Sequence, residues 1–83
     1  EDVPAIFIHK GCRFFFFSNE GNPRESVHVH VRQGSARAKY WLEPQVVLAG
    51  SYRMSAQELK EIEAVVKERV AQIKEKWNEH FGD

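Results

Sequence analysis

Between Ala5 and Glu43 apolar and polar residues alternate in short runs, and the alternation is cleanest in "SVHVHVRQG", residues 26–34. Val27, Val29 and Val31 fall on one side of a period of two, and His28, His30 and Arg32 on the other, the signature of a strand with one covered face. Turn residues separate similar runs at 5–9, 12–18, 27–32 and 36–43. The pattern predicts two successive hairpins, closed by Lys10-Gly11 and Gly34-Ser35, with the polar loop "SNEGNPRES" at 18–26 between them. Pro44 ends the fourth strand because it has no N–H for a ladder. Residues 45–49 add a short fifth strand.

Beyond Tyr52 the period changes. Leu59, Ile62, Val66, Val70, Ile73, Trp77 and Phe81 recur in steps of three and four, one apolar stripe on a helix spanning about 55–81. "SAQE" at 55–58 sets a serine three residues before a glutamate, the capping-box pattern of a helix start. The expected fold is therefore α+β: an antiparallel sheet of four to five strands, covered on one face by a long C-terminal amphipathic helix.

A continuous helix of that length would measure about 39 Å at 1.5 Å per residue, whereas a compact chain of this size is roughly 30 Å across. Either the helix overhangs, so that Trp77 and Phe81 become anchors for a second copy or another protein, or it breaks near Arg69 and its last turns fold back.

Two-residue turns set the register. His9 faces Cys12 and Phe7 faces Phe14. In the second hairpin Arg32 faces Arg37, His30 faces Lys39 and His28 faces Trp41, while the valines meet Ala38, Tyr40 and Leu42. A one-residue slip would mix polar with apolar side chains. The valines are expected beneath the helix and the imidazoles outward, on an open face that shows His28, His30, Arg32, Arg37, Lys39 and Trp41. Phe15 and Phe17 join Trp77 and Phe81 as candidate interface residues.

At 83 residues the chain has room for one core, and a single domain over 1–83 is expected. Its net charge is zero but unevenly spread, +2 over residues 1–54 and −2 over 55–83. That is far from the strongly basic balance that would make nucleic-acid binding the default. A lone cysteine, Cys12, builds neither an internal disulfide nor a multi-cysteine zinc site and is expected as an apolar filler. The short run 13–18 cannot span a bilayer, and residues 1–7 lack a secretory pattern. A cytoplasmic protein without membrane contact is expected.

Three kinds of chemistry fit the outward face. A His-x-His pair could bind metal, but Cys12 and His28 begin opposite ends of an antiparallel ladder, so no metal and no cofactor are expected. His28 or His30 beside Arg32 and Lys39 could serve as a general base in a metal-independent ribonuclease, although no second catalytic acid stands out. Aromatic rings among arginines and lysines could bind RNA without cleaving it. Against these stands burial of the same rings by a protein partner or a homodimer.

The segments "GCRFFFFSNE", "NPRESVHVHVRQG", "AKYWLEP" and "MSAQELKEIE" through "KWNEHFG" together resemble the bacterial domain-of-unknown-function family 4160 (DUF4160) over nearly the whole chain. Members typically carry a proline just before the His-x-His-Val element, where this chain has Ser26-Val27. The resemblance implies a small bacterial cytosolic protein, sometimes encoded in toxin–antitoxin-type pairs, and brings no catalytic residues with it. It strengthens the expectation of a non-catalytic module that binds a partner through its sheet face and helix end, with RNA binding or cleavage as the alternative.

Overall fold

The computed structural model describes residues 5–17 and 25–82. Five strands, β1 (Phe7–His9), β2 (Cys12–Phe15), β3 (His28–Gln33), β4 (Ala36–Trp41) and β5 (Val47–Tyr52), precede two helices, α1 (Ala56–Glu68) and α2 (Val70–Phe81). The sheet is an antiparallel meander in the order β1-β2-β3-β4-β5, so the fold is α+β. Most of the expected 18–26 loop lies outside the described residues. No helix among the described residues is long and apolar enough to cross a membrane.

Both hairpin registers are the expected ones. Lys10 and Gly11 carry positive φ, 50° and 82°, as a type I′ turn requires, and they set His9 opposite Cys12 and Phe7 opposite Phe14. Gly34, at φ 61°, does the same for β3 and β4, where His30 pairs with Lys39 and Arg32 with Arg37. The fifth strand runs three residues past its expected end at Ala49. A register shift at Lys39/Tyr40 pairs Lys39 with Gly50 and Tyr40 with Leu48. Ala49 is the extra residue of this bulge, which hides the alternation of β5 from a period-two reading.

The face with Cys12, Phe14, Val29, Val31, Ala38, Tyr40 and Leu42 packs against Ile62, Val65, Val66, Ile73 and Trp77 of the helices. The valines are therefore beneath the helical layer. Ser55 caps α1 through the expected box: Glu58 N–H donates to the Ser55 hydroxyl at 3.0 Å, and Ser55 N–H donates to the Glu58 carboxylate at 2.8 Å.

Of the two arrangements that the length of the apolar stripe allows, the structure has the break near Arg69: the single long helix is divided into two. Arg69 leaves helical geometry at φ −112°, ψ 22°, and its N–H is shared between the carbonyls of Val65 and Val66. Neither glycine nor proline marks the break. Its cause is packing: the domain is 34 Å in its longest dimension, and an unbroken helix of about 39 Å would carry its last turns past the sheet. The α1 helix crosses from β4, where the Tyr40 hydroxyl donates to the Leu59 carbonyl at 2.8 Å, to β1, where the Arg69 guanidinium lies 4.4 Å from the Phe7 ring centre. Redirected there, α2 closes the end of the sheet. Trp77 packs on Phe16 and His28, with ring centres 5.2 and 5.0 Å away, and Lys74 pairs with Glu43 at 3.4 Å.

Candidate functional site

The antiparallel pairings place side chains of the uncovered sheet face in rows that run across the strands. One row reads Ile8, Arg13, Arg32, Arg37, Tyr52, and the next reads Phe15, His30, Lys39, Gly50. Three arginines thus stand on adjacent strands directly opposite one another. Like charges so placed repel one another.

Aromatic rings hold the cations in place. Arg13 and Arg32 lie over Phe15, at 5.2 and 5.4 Å from its centre. Arg37 and Arg53 lie over Tyr52, at 5.0 and 5.2 Å, and Lys39 over Trp41 at 4.3 Å. Such contacts fix an arginine or lysine without neutralising it. Lys39 also pairs with Glu25 at 3.6 Å, and Arg53 donates to the Ser35 hydroxyl at 3.2 Å. Between these residues lies a shallow hollow of about 410 Å³, lined among others by His30, Arg32, Arg37, Lys39, Gly50 and Tyr52, and by no carboxylate among the described residues.

The expected site is brought together in part. His30, Arg32, Arg37 and Lys39 line the hollow together with Phe15 and Phe17, and Trp41 stands beside it under Lys39. His28 is a correction. It is on the expected face but fully buried, enclosed by Trp41, His30 and Trp77 with ring centres 5.0 to 5.3 Å away. Its Nδ1 donates to the Ser26 carbonyl at 2.9 Å. The swing of α2 round the sheet end brings Trp77 over it, which strand alternation alone does not reveal.

Phe15 and Trp77 are corrected too. Phe15 was expected at an interface and Trp77 at one if the helix overhung, and both are buried within this one chain, at 2 % and 1 % exposure. Phe15 is covered by the two arginines and by Phe17 and His30. Phe81 is half-buried against Trp77 and Phe16, so the helix end serves the domain's own core.

Sequence reasoning missed Arg13, Gly50, Tyr52 and Arg53 as members of the face. Arg13 shares a strand face with Phe15 in the expected hairpin, so its place was already implied by the register. Tyr52 was lost when the fifth strand was ended at Ala49, although a tyrosine after a serine is a good strand residue.

On the helix side two groups titrate abnormally. Burial and the nearby Glu58 carboxylate push the Cys12 thiol up, and burial with Glu63 pushes the Tyr40 hydroxyl up to about 12. His9 sits across from Cys12, while His28 and His30 are on the opposite face and nearer the other end of the ladder.

The architecture defines the class: a small α+β domain whose open antiparallel sheet carries helices on one face and a basic, aromatic surface on the other. Residues 11–78 match the family described as domain of unknown function DUF4160, and the chain belongs to that family. Comparison with curated proteins and with solved structures gives no match.

Proposed function

We propose that this chain is a non-catalytic binding module of the bacterial cytoplasm and that its uncovered sheet face takes a single strand of RNA. The observation that carries the reading is the row Arg13, Arg32, Arg37 on three neighbouring strands. A polyanion laid across the strands relieves the repulsion within such a row and gains from each cation in turn. The rings of Tyr52 and Trp41 and the guanidinium planes beside them offer stacking surfaces, which sequence-tolerant single-strand binding requires. Charge separation favours the same face, since six carboxylates against five cations lie in residues 56–81, the stretch of the two helices on the other side.

Binding without cleavage is favoured by the histidines. A general base must reach the proton it abstracts, and His28 is enclosed with its Nδ1 engaged. His30 is half-buried between Phe15 and Phe17, whose ring centres lie 5.7 and 4.5 Å away.

The test is fluorescence anisotropy of a labelled oligouridine across about 50 to 200 mM salt. The expected result is binding that weakens steeply with salt and that an Arg32→Gln, Arg37→Gln double variant loses while remaining folded. No binding at the lowest salt ends the reading.

A second reading has its own observation. All six residues of β5 are exposed and none is charged, so this edge strand lacks the charges and prolines that usually blunt an open edge. A protein partner adding a strand there, such as the companion in a toxin–antitoxin-type pair or a second copy of the chain, would bury Leu48 and Val47. Light scattering of the purified chain, and of a Leu48→Lys variant, checks the self-association form.

A further inference from the structure

The hollow beside Gly50 has a specific cause. The side chains around it lean away from one another: Arg32 over Phe15, Arg37 over Tyr52 and Lys39 over Trp41. Gly50 stands opposite Lys39 and contributes no side chain at all. A Cβ built on Gly50 would meet no atom within 4 Å, so nothing in the fold requires glycine to relieve crowding there. The space it leaves is open, bordered by Tyr52, which is 48 % exposed, and by Arg32, Arg37 and Lys39, the last of which also pairs with Glu25.

We propose that this hollow is a nucleotide slot. It seats one unit of the bound RNA strand, with the phosphate among Arg32, Arg37 and Lys39 and the base over Gly50 beside the Tyr52 ring. The inference rests on the sheet face being the RNA surface and goes further, by naming where one base enters and what makes room for it. The dimensions suit the occupant: about 410 Å³ is too roomy for a bare phosphate and within the usual range for a small-molecule site. The lining suits it as well, since cations hold the phosphate while a tyrosine ring supplies a sequence-tolerant stacking surface.

The experiment uses the whole chain and a labelled oligouridine. Gly50→Val fills the slot without removing a charge. Ala49→Val adds similar bulk at the neighbouring bulge residue, which does not line the hollow. Thermal melting of both variants establishes that the fold is kept. The expected result is RNA binding weakened about tenfold or more by Gly50→Val, the size of one lost stacked base, with the salt slope unchanged because the phosphate contacts remain. Ala49→Val binds as the parent does. In contrast, Arg37→Gln lowers the salt slope by roughly 0.7, the value for one phosphate contact on a single strand.

Parent-like affinity in a folded Gly50→Val protein overturns the slot and leaves the RNA surface standing. Equal weakening by Ala49→Val also overturns it, because the effect would then belong to the edge strand and not to the hollow. Absence of binding by the parent at low salt overturns the slot and the RNA reading together.

Discussion

Arg32 and Arg37 face each other across the β3–β4 ladder, and each leans onto an aromatic ring on its far side, Phe15 for one and Tyr52 for the other. Two guanidinium groups in directly opposed positions destabilise a sheet, whereas an opposite-charge pair contributes roughly 0.2–1 kcal/mol. Arg37→Glu is therefore expected to raise stability by up to about 1 kcal/mol in low salt, with a smaller gain in high salt, while RNA binding falls. Urea denaturation at two ionic strengths, beside the anisotropy assay, checks both halves. A gain in stability that costs binding is what a functional charge row produces; a loss of stability would mean that the arginines are there to hold the sheet.

Trp77 bridges the two layers. Its ring lies on Phe16, just past the end of β2, and on His28 at the start of β3, so removing it opens the core at the end of the sheet. Trp77→Ala is expected to cost about 3–5 kcal/mol, a large share of the stability of so small a domain. Phe81→Ala, at a half-buried position, is expected to cost about 1–2 kcal/mol. Denaturation of the monomer measures both. Were Trp77 an anchor for another protein, monomer stability would be unchanged and only association would suffer.

How far the sequence discloses this molecule differs by level. The strand registers were legible because two physical constraints agree: Gly11 and Gly34 supply turn geometry, and only one pairing sorts valine with alanine, tyrosine and leucine while sorting histidine and arginine with lysine and arginine. The break at Arg69 was legible only as one of two alternatives, because helix length set against domain size calls for a break or an overhang, while no residue there disfavours a helix strongly enough to decide between them. His28 shows the same limit from the other side. Alternation correctly put it opposite the valines, but its burial depends on where α2 travels after the break. The basic face was half legible: Arg32, Arg37 and Lys39 follow from register, while Gly50 and Tyr52 stood behind a bulge that shifts the period.

Cys12 is buried on the helix face beneath the start of α1, and its thiol is pushed up first by burial and then by the Glu58 carboxylate. Since the thiolate is the nucleophile, alkylation by iodoacetamide near neutral pH is expected to be slow in the native protein and fast in urea. Glu58→Gln keeps the capping-box geometry, because glutamine also serves at that position, but removes the charge. It should lower the thiol's pKa, seen as a shift of the alkylation rate profile toward lower pH, with little change in stability. Ser55→Ala, by contrast, removes the cap and is expected to cost about 1 kcal/mol without moving that profile.

Tyr40 ties the sheet to α1 through its hydroxyl, which donates to the Leu59 carbonyl, and burial with the nearby Glu63 pushes its pKa up to about 12. In the unfolded chain a tyrosine titrates near about 10. Between these two values the unfolded state has given up the proton and the folded state still holds it, so stability falls as pH rises. Below about pH 10 the contribution is complete; it is lost progressively toward the folded value. Two units correspond to roughly 2–3 kcal/mol, an order-of-magnitude figure. Tyr40→Phe is expected to cost about 1 kcal/mol at neutral pH from the lost hydrogen bond, and to lack this alkaline decline. Other groups titrate in both proteins, so the difference between their urea midpoints, followed from neutral to strongly alkaline pH, isolates Tyr40: the gap between parent and variant should close and then reverse. Parallel curves would mean that the hydroxyl ionises as readily in the folded protein as in water, and that the Leu59 contact does not hold the proton.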